Sequence, residues 1–509
     1  MSGDAAEKSD DGDASELDRL RNQVVAQARE LILLRWEISS LVRRSIDSGA
    51  LATNGKNAIW GGRRKAAKII GRMRAAMRNG IGTRRRWRER SLSLTPSSKD
   101  VKWPAIREPV LVVGNSSMAR RIAATAGPAK SVLVSPGAGP TRSLPVQQVG
   151  EPPLRPPAPG SLVSWLIEEP GRLRQLGTII ADADDELSLG LLRGRLLEGQ
   201  VLVLTFEGKE RPPENPAVVE LAKPSLDMPG FRAYRDLPAS WLNPLDENNR
   251  PIPAIVRRLS WPKISVVMVS YNQASFVEEG LRSVLDQDYP NLEFLVIDGH
   301  STDGSIDILN RYRDRVSAMI IEPDRGQSDG LNKGFARTTG DILTWVNSDD
   351  LLEPGALFRV GQAFSTYRTD MVAGGCRQIG LTRDAILNNH HNRLPYGIPT
   401  MLPLGLLLEM DRFWLTGSFF YQPEVFFSRD IWNRSGGRLR TDLNYVLDYD
   451  LWVRMAAAGA TIVHISDFLA CSRTHDQQKT TVGFPQIPEV QWLLREYGSR
   501  LANPPPYSA

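Results

Sequence analysis

The residues best suited to chemistry lie at Asn347-Ser348-Asp349-Asp350, directly after the apolar run from Asp341 to Val346. Two acids at the carboxyl end of a buried strand are costly unless a cation meets them. Hard oxygen ligands suit Mg²⁺ or Mn²⁺ carrying a phosphorylated ligand. Two further polar groups follow apolar runs in the same way: Ser270-Tyr271-Asn272 after Ile264–Val269, and Asp298-Gly299 after Leu292–Ile297. In an open α/β sheet, ligands bind beyond the carboxyl ends of the strands. The three polar groups are therefore expected to converge on one site.

Elements to position them are legible. β-branched runs predict strands at 264–269, 292–297, 318–321 and 341–346, alternating with helices. Ser275 or a neighbour is expected to cap the helix ending near Leu285, and Ser301-Thr302-Asp303 to open another. This alternation predicts a doubly wound sheet. Upstream, residues 108–250 read as a second, mostly parallel α/β unit of Rossmann-like type, with strands at 109–113, 131–134, 178–181 and 201–204 and a helix near 187–197. Gly114-Asn115-Ser116-Ser117 lacks the glycines of a dinucleotide fingerprint. Asp182, Asp184 and Asp185 read as surface acids leading into a helix.

The first 250 residues begin with an acidic tail (1–15), expected to be disordered. A helix (16–47) follows, with Leu17, Leu20, Val24, Leu31, Leu34, Ile38 and Leu41 at heptad spacing. That seam suits a short coiled coil and a homo-oligomer, or one helix packed on its own protein. From Arg63 to Arg90, twelve Lys or Arg face one acid, Glu89, so this stretch nets +11 and the rest −6 against +5 overall. Within 60–90 a helical stripe (Ala66, Ile69, Ile70, Met73, Met77) lies between Trp60 and Trp87, as for an anionic membrane surface. Nucleic acid is the rival partner and is not expected; a solvated face is the bland reading. Two cysteines cannot build a disulfide framework or zinc cluster. The polar start argues against an ordinary secretory signal, and no apolar run suffices to span a bilayer. A cytoplasmic protein, peripheral on the inner face of the membrane, is expected.

The order of SYN (270–272), DQDYPNLEFLVIDGHSTDGS (286–305) and EPDRGQSDGLNKGFARTTGDILTWVNSDD (322–350) resembles the family 2 inverting glycosyltransferases with the GT-A fold. The resemblance continues in Gln422-Pro423 with Phe426-Phe427, in Gly436-Gly437, in Leu447–Trp452 and in Arg473-Thr474-His475. It spans about 262–476, within a domain drawn at 262–485 and followed by a tail at 486–509. It implies that Tyr271 lines the nucleotide base, with Ser270 and Asn272 beside it, and that Asp298 contacts base or ribose. Gly299 stands where members often carry a second acid, which leaves the base open. Asp324, Asp329, Asn332 and Lys333 are implied to border the nucleotide and diphosphate, with Lys333 offsetting phosphate charge or lying on a helix surface.

The resemblance further implies a metal, Mn²⁺ or Mg²⁺, on Asp349, with Asp350 second and His475 as an additional ligand. Asp349 could also cap a helix before Leu351. Arg473 is implied to close over the diphosphate. An inverting transfer needs a carboxylate to take the acceptor's proton: Asp448 by the resemblance, with Asp450 the alternative. His390-His391 reads as a polar insertion loop, and Leu394–Phe420 as core or as a groove for a lipid-linked acceptor. The implied partners are a nucleotide-diphosphate sugar and a glycan or glycolipid acceptor. Two other classes compete: an inactive scaffold acting through the coiled coil and middle unit, and a nucleotidyltransferase, whose glycine-rich phosphate loop is absent after Val269.

Overall fold

The computed structural model describes residues 110–113, 131–134, 172–176, 178–183, 186–206, 221, 224–228, 231–409, 419–476, 478–479 and 486–502. The heptad helix, the basic segment and Gly114–Ser117 lie outside them. By contact the chain divides into one unit of residues 1–102 with 494–509 and another of 103–493. Both sheets and the first part of the final helix belong to the second unit.

The first sheet orders its strands β2-β1-β3-β4-β6-β5, from β1 (Val110–Val113), β2 (Ser131–Val134), β3 (Thr178–Asp182), β4 (Val201–Thr205), β5 (Leu226–Met228) and β6 (Phe231–Tyr234). β1 to β4 are parallel. β5 and β6 add an antiparallel edge that the sequence did not predict, because short strands with mixed polarity show little period-2 signal. Helix α1 (Glu186–Leu192) follows β3. The runs Ile179–Ala181 and Leu202–Leu204 are fully buried, as parallel strands covered on both faces require.

The second sheet is built from β7 (Ile264–Ser270), β8 (Leu292–Asp298), β9 (Ala318–Ile321), β10 (Ile342–Asn347), β11 (Leu351–Leu352), β12 (Met371–Ile379), β13 (Ile386–His391), β14 (Thr400–Met401), β15 (Val425–Ser428) and β16 (Thr461–Arg473). Its path is β9-β8-β7-β10-β15-β12-β16-β11. β9, β8, β7 and β10 are parallel. β15 then runs antiparallel to both β10 and β12. The sheet is thus doubly wound only in its first half and mixed beyond β10. Helices α2 (Val277–Leu285), α3 (Ser305–Asn310), α4 (Gln327–Phe335), α5 (Ala356–Thr366), α6 (Arg429–Arg434), α7 (Leu447–Ala457) and α8 (Gln486–Ala502) complete it.

Some local expectations give way to tertiary packing. α2 starts at Val277 with Phe276 in the cap position and no side-chain cap, because the Phe276 ring is held 4.5 Å from the His475 ring. Leu351-Leu352 forms a strand with Ala470 and Cys471, so Asp349 caps no helix. His390 and His391 lie in strand β13, not a loop: they pair with Cys376 and Gly375. His390 is buried, with Nε2 2.7 Å from the Phe419 carbonyl oxygen. In the 394–420 region Leu394, Leu402, Leu406, Leu407, Leu408, Phe419 and Phe420 are buried core, while Ile398 and Met401 are exposed. Among the described residues no helix is long and apolar enough to cross a membrane.

The two sheets are joined by a partly buried charge cluster. Asp467 on β16 accepts from Arg195 at 3.0 Å and faces Arg359 Nε at 3.4 Å. Burial alone would push the Asp467 carboxyl up, but the two guanidiniums hold it below the ordinary carboxylate range.

Candidate active site

The parallel half of the second sheet brings the three polar strand ends together. Ser270 is in register with Asp298, and Asn347 with Val269. Side chains then lace the loops beyond β7 and β8. Asp298 is fully buried and accepts from the Ser301 N–H (2.7 Å) and hydroxyl (2.8 Å). Ser301 Oγ accepts from the Asn272 N–H at 2.8 Å, and Asn272 Oδ1 from the Thr302 N–H at 2.8 Å. Asn272 and His300 take left-handed backbone conformations, φ 52° and 68°; for non-glycine residues that conformation is strained and persists only where surroundings enforce it. Asn272 therefore acts as a loop brace. Tyr271 is 61% exposed at the mouth, and the buried Ser270 hydroxyl has no hydrogen-bond partner among the described residues.

The cluster after β10 separates its two acids. Asp349 Oδ2 stands 3.1 Å from His475 Nε2. Asp350 turns inward: it is 4% exposed and accepts from the Arg473 N–H and Asn347 Nδ2, both at 3.0 Å. Burial first, and then the neighbouring Asp349, push its carboxyl upward. Asn347 is the hub beside it. Its amide donates to Asp350 and to Gln422 Oε1 (3.3 Å), and its Oδ1 accepts from Gln327 Nε2 (2.8 Å). A carboxylate at 347 could not donate, so the amide in place of the usual acid is what the surroundings require.

Arg473 is fully buried, and its guanidinium is committed within the protein. It donates to the Asp349 carbonyl (2.9 Å), the Leu381 carbonyl and Glu279 Oε2 (2.6 Å). Its contribution to the site is to fix the Asp349 backbone, with the guanidinium carbon 5.1 Å from the Phe276 ring centre.

Among the described residues no three His, Cys, Asp or Glu side chains converge as a metal site. Asp349 and His475 supply two donors. That fits a cation such as Mg²⁺ or Mn²⁺ that draws the rest of its coordination from substrate phosphates and water rather than from an all-protein cage.

The 322–333 segment borders the same mouth. A Cβ at Gly299 would lie 2.8 Å from Asp324 Oδ2 and 3.2 Å from the Tyr271 ring. The Asp324 carboxylate thus fills the space a side chain at 299 would take, and its other oxygen accepts from the Gly326 N–H at 2.9 Å. Asp329 accepts from Arg325, and Lys333 donates to the Pro323 carbonyl at 2.8 Å and pairs with Glu322 at 3.1 Å. Asn332 exchanges hydrogen bonds with the Leu439 backbone at 2.9 and 2.8 Å. In this state Asp329, Asn332 and Lys333 brace the segment.

The Leu443 carbonyl lies 3.4 Å from the Ser328 hydroxyl, one residue from Gln327. The chain entering α7 therefore passes the carboxyl end of β10. Trp452 stacks on Trp345 at 5.8 Å and fixes α7 to that strand. Two positions apart on a helix, Asp448 and Asp450 face different ways. Asp450 is fully buried, with Arg454 Nε at 2.8 Å and Arg440 at 3.8 Å. Asp448 is partly exposed and accepts from the Tyr449 N–H at 2.8 Å. Burial raises its carboxyl to about 6, against that hydrogen bond. Glu279 and Phe276 are site-shaping residues that sequence reasoning missed, and Gln327 and Gln422 stood in quoted motifs without a role of their own. Polar residues in loops and on helices carry no periodic signal that would single them out.

Residues 265–433 match the family model described as Glycosyl transferase family 2. The chain is 36% identical over 92 residues to a Bacillus subtilis protein with the provisional name teichuronic acid biosynthesis glycosyltransferase TuaG, covering 18% of this chain and 36% of that protein. It is 24% identical over 242 residues to glycosyltransferase RT0329 of Rickettsia typhi, itself uncharacterised, covering 48% and 73%. The chain spans 33% to 39% of the length of three curated relatives it matches. Among solved structures it is similar to Staphylococcus aureus TarS 1-349 in complex with UDP-GlcNAc, with a TM-score of 0.38, 15% identity and coverage of 47% of this chain and 70% of that one. The strand-end motifs, their order and the family match converge on one stretch: residues 265–433, on a mixed α/β sheet, match the Glycosyl transferase family 2 model.

Proposed function

We propose that the chain is an inverting glycosyltransferase that moves a sugar from a nucleoside-diphosphate donor to a hydroxyl acceptor in cell-surface polysaccharide or glycolipid synthesis. The observation that carries this is the contrast between two carboxylates. Asp448 is raised to about 6 and, among the described residues, pairs with no cation; Asp450 is spent on Arg454. A base poised near neutral pH is what proton removal from a sugar hydroxyl requires. Asp448 takes that proton as the acceptor oxygen attacks the anomeric carbon opposite the departing diphosphate, and no covalent intermediate is needed. Tyr271 offers an exposed ring to the base, and the Ser270 hydroxyl a hydrogen bond. Asp349 and His475 would hold the divalent ion, whose chemistry is to offset charge growing on the diphosphate. The family match and the relative named for teichuronic acid biosynthesis support this reading.

The test is a donor panel. Nucleoside diphosphate release is measured from UDP-, GDP- and dTDP-sugars with Mn²⁺ or Mg²⁺, with and without saccharide and lipid-linked acceptors. Acceptor-stimulated release from at least one donor is expected. No release, together with no donor binding by calorimetry, contradicts the proposal.

A further inference from the structure

We propose that Glu489 is a positioning residue for Asp448, a role that rests on the reading of Asp448 as the base. α7 begins at Leu447 with Val446 in the cap position and no side-chain cap of its own. The Val446 N–H at that start, and the Asn444 and Tyr445 N–H groups of the loop before it, need an acceptor. The acceptor comes from more than forty residues downstream. Glu489 Oε1 accepts from the Asn444 N–H at 2.8 Å, and Oε2 accepts from the Tyr445 N–H at 2.8 Å and the Val446 N–H at 3.3 Å. One carboxylate thus grips three consecutive amides, ending two residues before Asp448. A negative group there also complements the helix N-terminus.

The carboxylate is held in place by α8. Val490 and Leu493, on the same helix, are 7% and 0% exposed, and the Arg440 guanidinium lies over the Trp492 ring at 4.6 Å. The grip reaches the other side of the site too. Lys479, four residues after His475, places its ammonium 5.4 Å from the centre of the Tyr445 ring. It also lies within the field of Glu489, whose charge favours the ammonium against the burial that lowers its pKa. α8 therefore clamps the loop leading to Asp448 and lies beside the segment that leads from His475. The register of the base depends on a side chain that, like Asp448 itself, lies outside residues 265–433.

Glu489→Gln is the informative variant. It keeps one acceptor oxygen but turns an NH₂ group toward backbone N–H donors. Misplacing a reacting group by a fraction of an ångström is costly, so kcat is expected to fall roughly tenfold or more, while the donor Kd by calorimetry with Mn²⁺ stays within about twofold. Amide hydrogen exchange at 444–446 is expected to lose protection. Asp467→Asn, which disturbs the Arg195–Arg359 cluster and leaves α8 untouched, serves as the folding control: its thermal midpoint falls while kcat holds. A merely structural Glu489 would lower kcat and donor affinity together, in step with the thermal midpoint, and Asp467→Asn would do the same; that result overturns the proposal. So does an unchanged kcat in Glu489→Gln. Wild-type protein that transfers no sugar from any donor overturns the catalytic reading itself, and the two failures are told apart by the wild-type lane.

Discussion

Replacing Asp448 by Asn should stabilise the protein at alkaline pH while abolishing transfer. The Asp448 carboxyl stands at about 6 instead of 3.8, because burial outweighs the hydrogen bonds it accepts from the backbone. At 1.36 kcal/mol per pH unit, the folded state ionises this group at a cost of about 3 kcal/mol. Asp448 is partly exposed, and solvent screening reduces the figure to about 1–2 kcal/mol. The sign follows from the raised value. Below 3.8 the carboxyl is protonated in both folded and unfolded chains, and the fold bears no cost; the cost grows as pH rises toward about 6 and is complete above it. Asn is isosteric, stays neutral and still accepts from the Tyr449 N–H. The variant should therefore match wild type near pH 4 and exceed it by about 1–2 kcal/mol at pH 8. Equilibrium urea unfolding followed by tryptophan fluorescence is the assay, since the Trp345–Trp452 stack lies one turn from the substitution. A stability difference of the same size at both pH values would refute the burial argument. Transfer retained at the wild-type rate would refute the base assignment.

Three further outcomes rest on the packing and charge distribution. Gly299→Asp sets a new carboxylate against Asp324, whose Oδ2 is 2.8 Å from the added Cβ; a loss of about 1–3 kcal/mol in thermal or urea unfolding is expected, relieved in part by Asp324→Asn and absent if Asp324 simply swings away. Asp467→Asn leaves the Arg195 and Arg359 guanidiniums without their shared, partly buried carboxylate and should cost about 1–3 kcal/mol, read as a fall in the urea midpoint; a change under about 0.5 kcal/mol would show that the cluster does not tie the two sheets. Deleting residues 60–90, which carry a net +11 over Arg63–Arg90, should abolish flotation with anionic vesicles and leave donor binding intact; unchanged flotation removes the proposed membrane contact.

What could be read without coordinates depended on how local the signal was. β7, β8 and β10 were legible because β-branched runs end abruptly in Ser270, Asp298 and Asn347, and parallel neighbours place such ends side by side. The sequence left Asp448 and Asp450 as alternatives for the base. Which of them faces out is decided by Arg440 and Arg454, the latter one turn along α7. The inward turn of Asp350 and the burial of Arg473 were not legible, since both depend on β11 pairing with β16 some 120 residues away. The sequence left Lys333 open between offsetting phosphate charge and lying on a helix surface; the structure places Glu322 and the Pro323 carbonyl against it. The Glu489 cap is equally non-local, joining α8 to the start of α7.

The central claim is that one cleft divides its labour, with Asp349 beside His475 holding the leaving diphosphate and Asp448 taking the acceptor's proton. The most direct measurement compares Asp349→Ala and Asp448→Asn with wild type, using calorimetric donor binding with Mn²⁺ and single-turnover transfer with the same donor. The account predicts that Asp349→Ala loses metal-dependent donor binding. It predicts that Asp448→Asn binds donor as wild type does and transfers at least a hundredfold more slowly, in the range expected for removing a general base. Equal transfer by Asp448→Asn and wild type, or donor binding indifferent to Asp349, would contradict it.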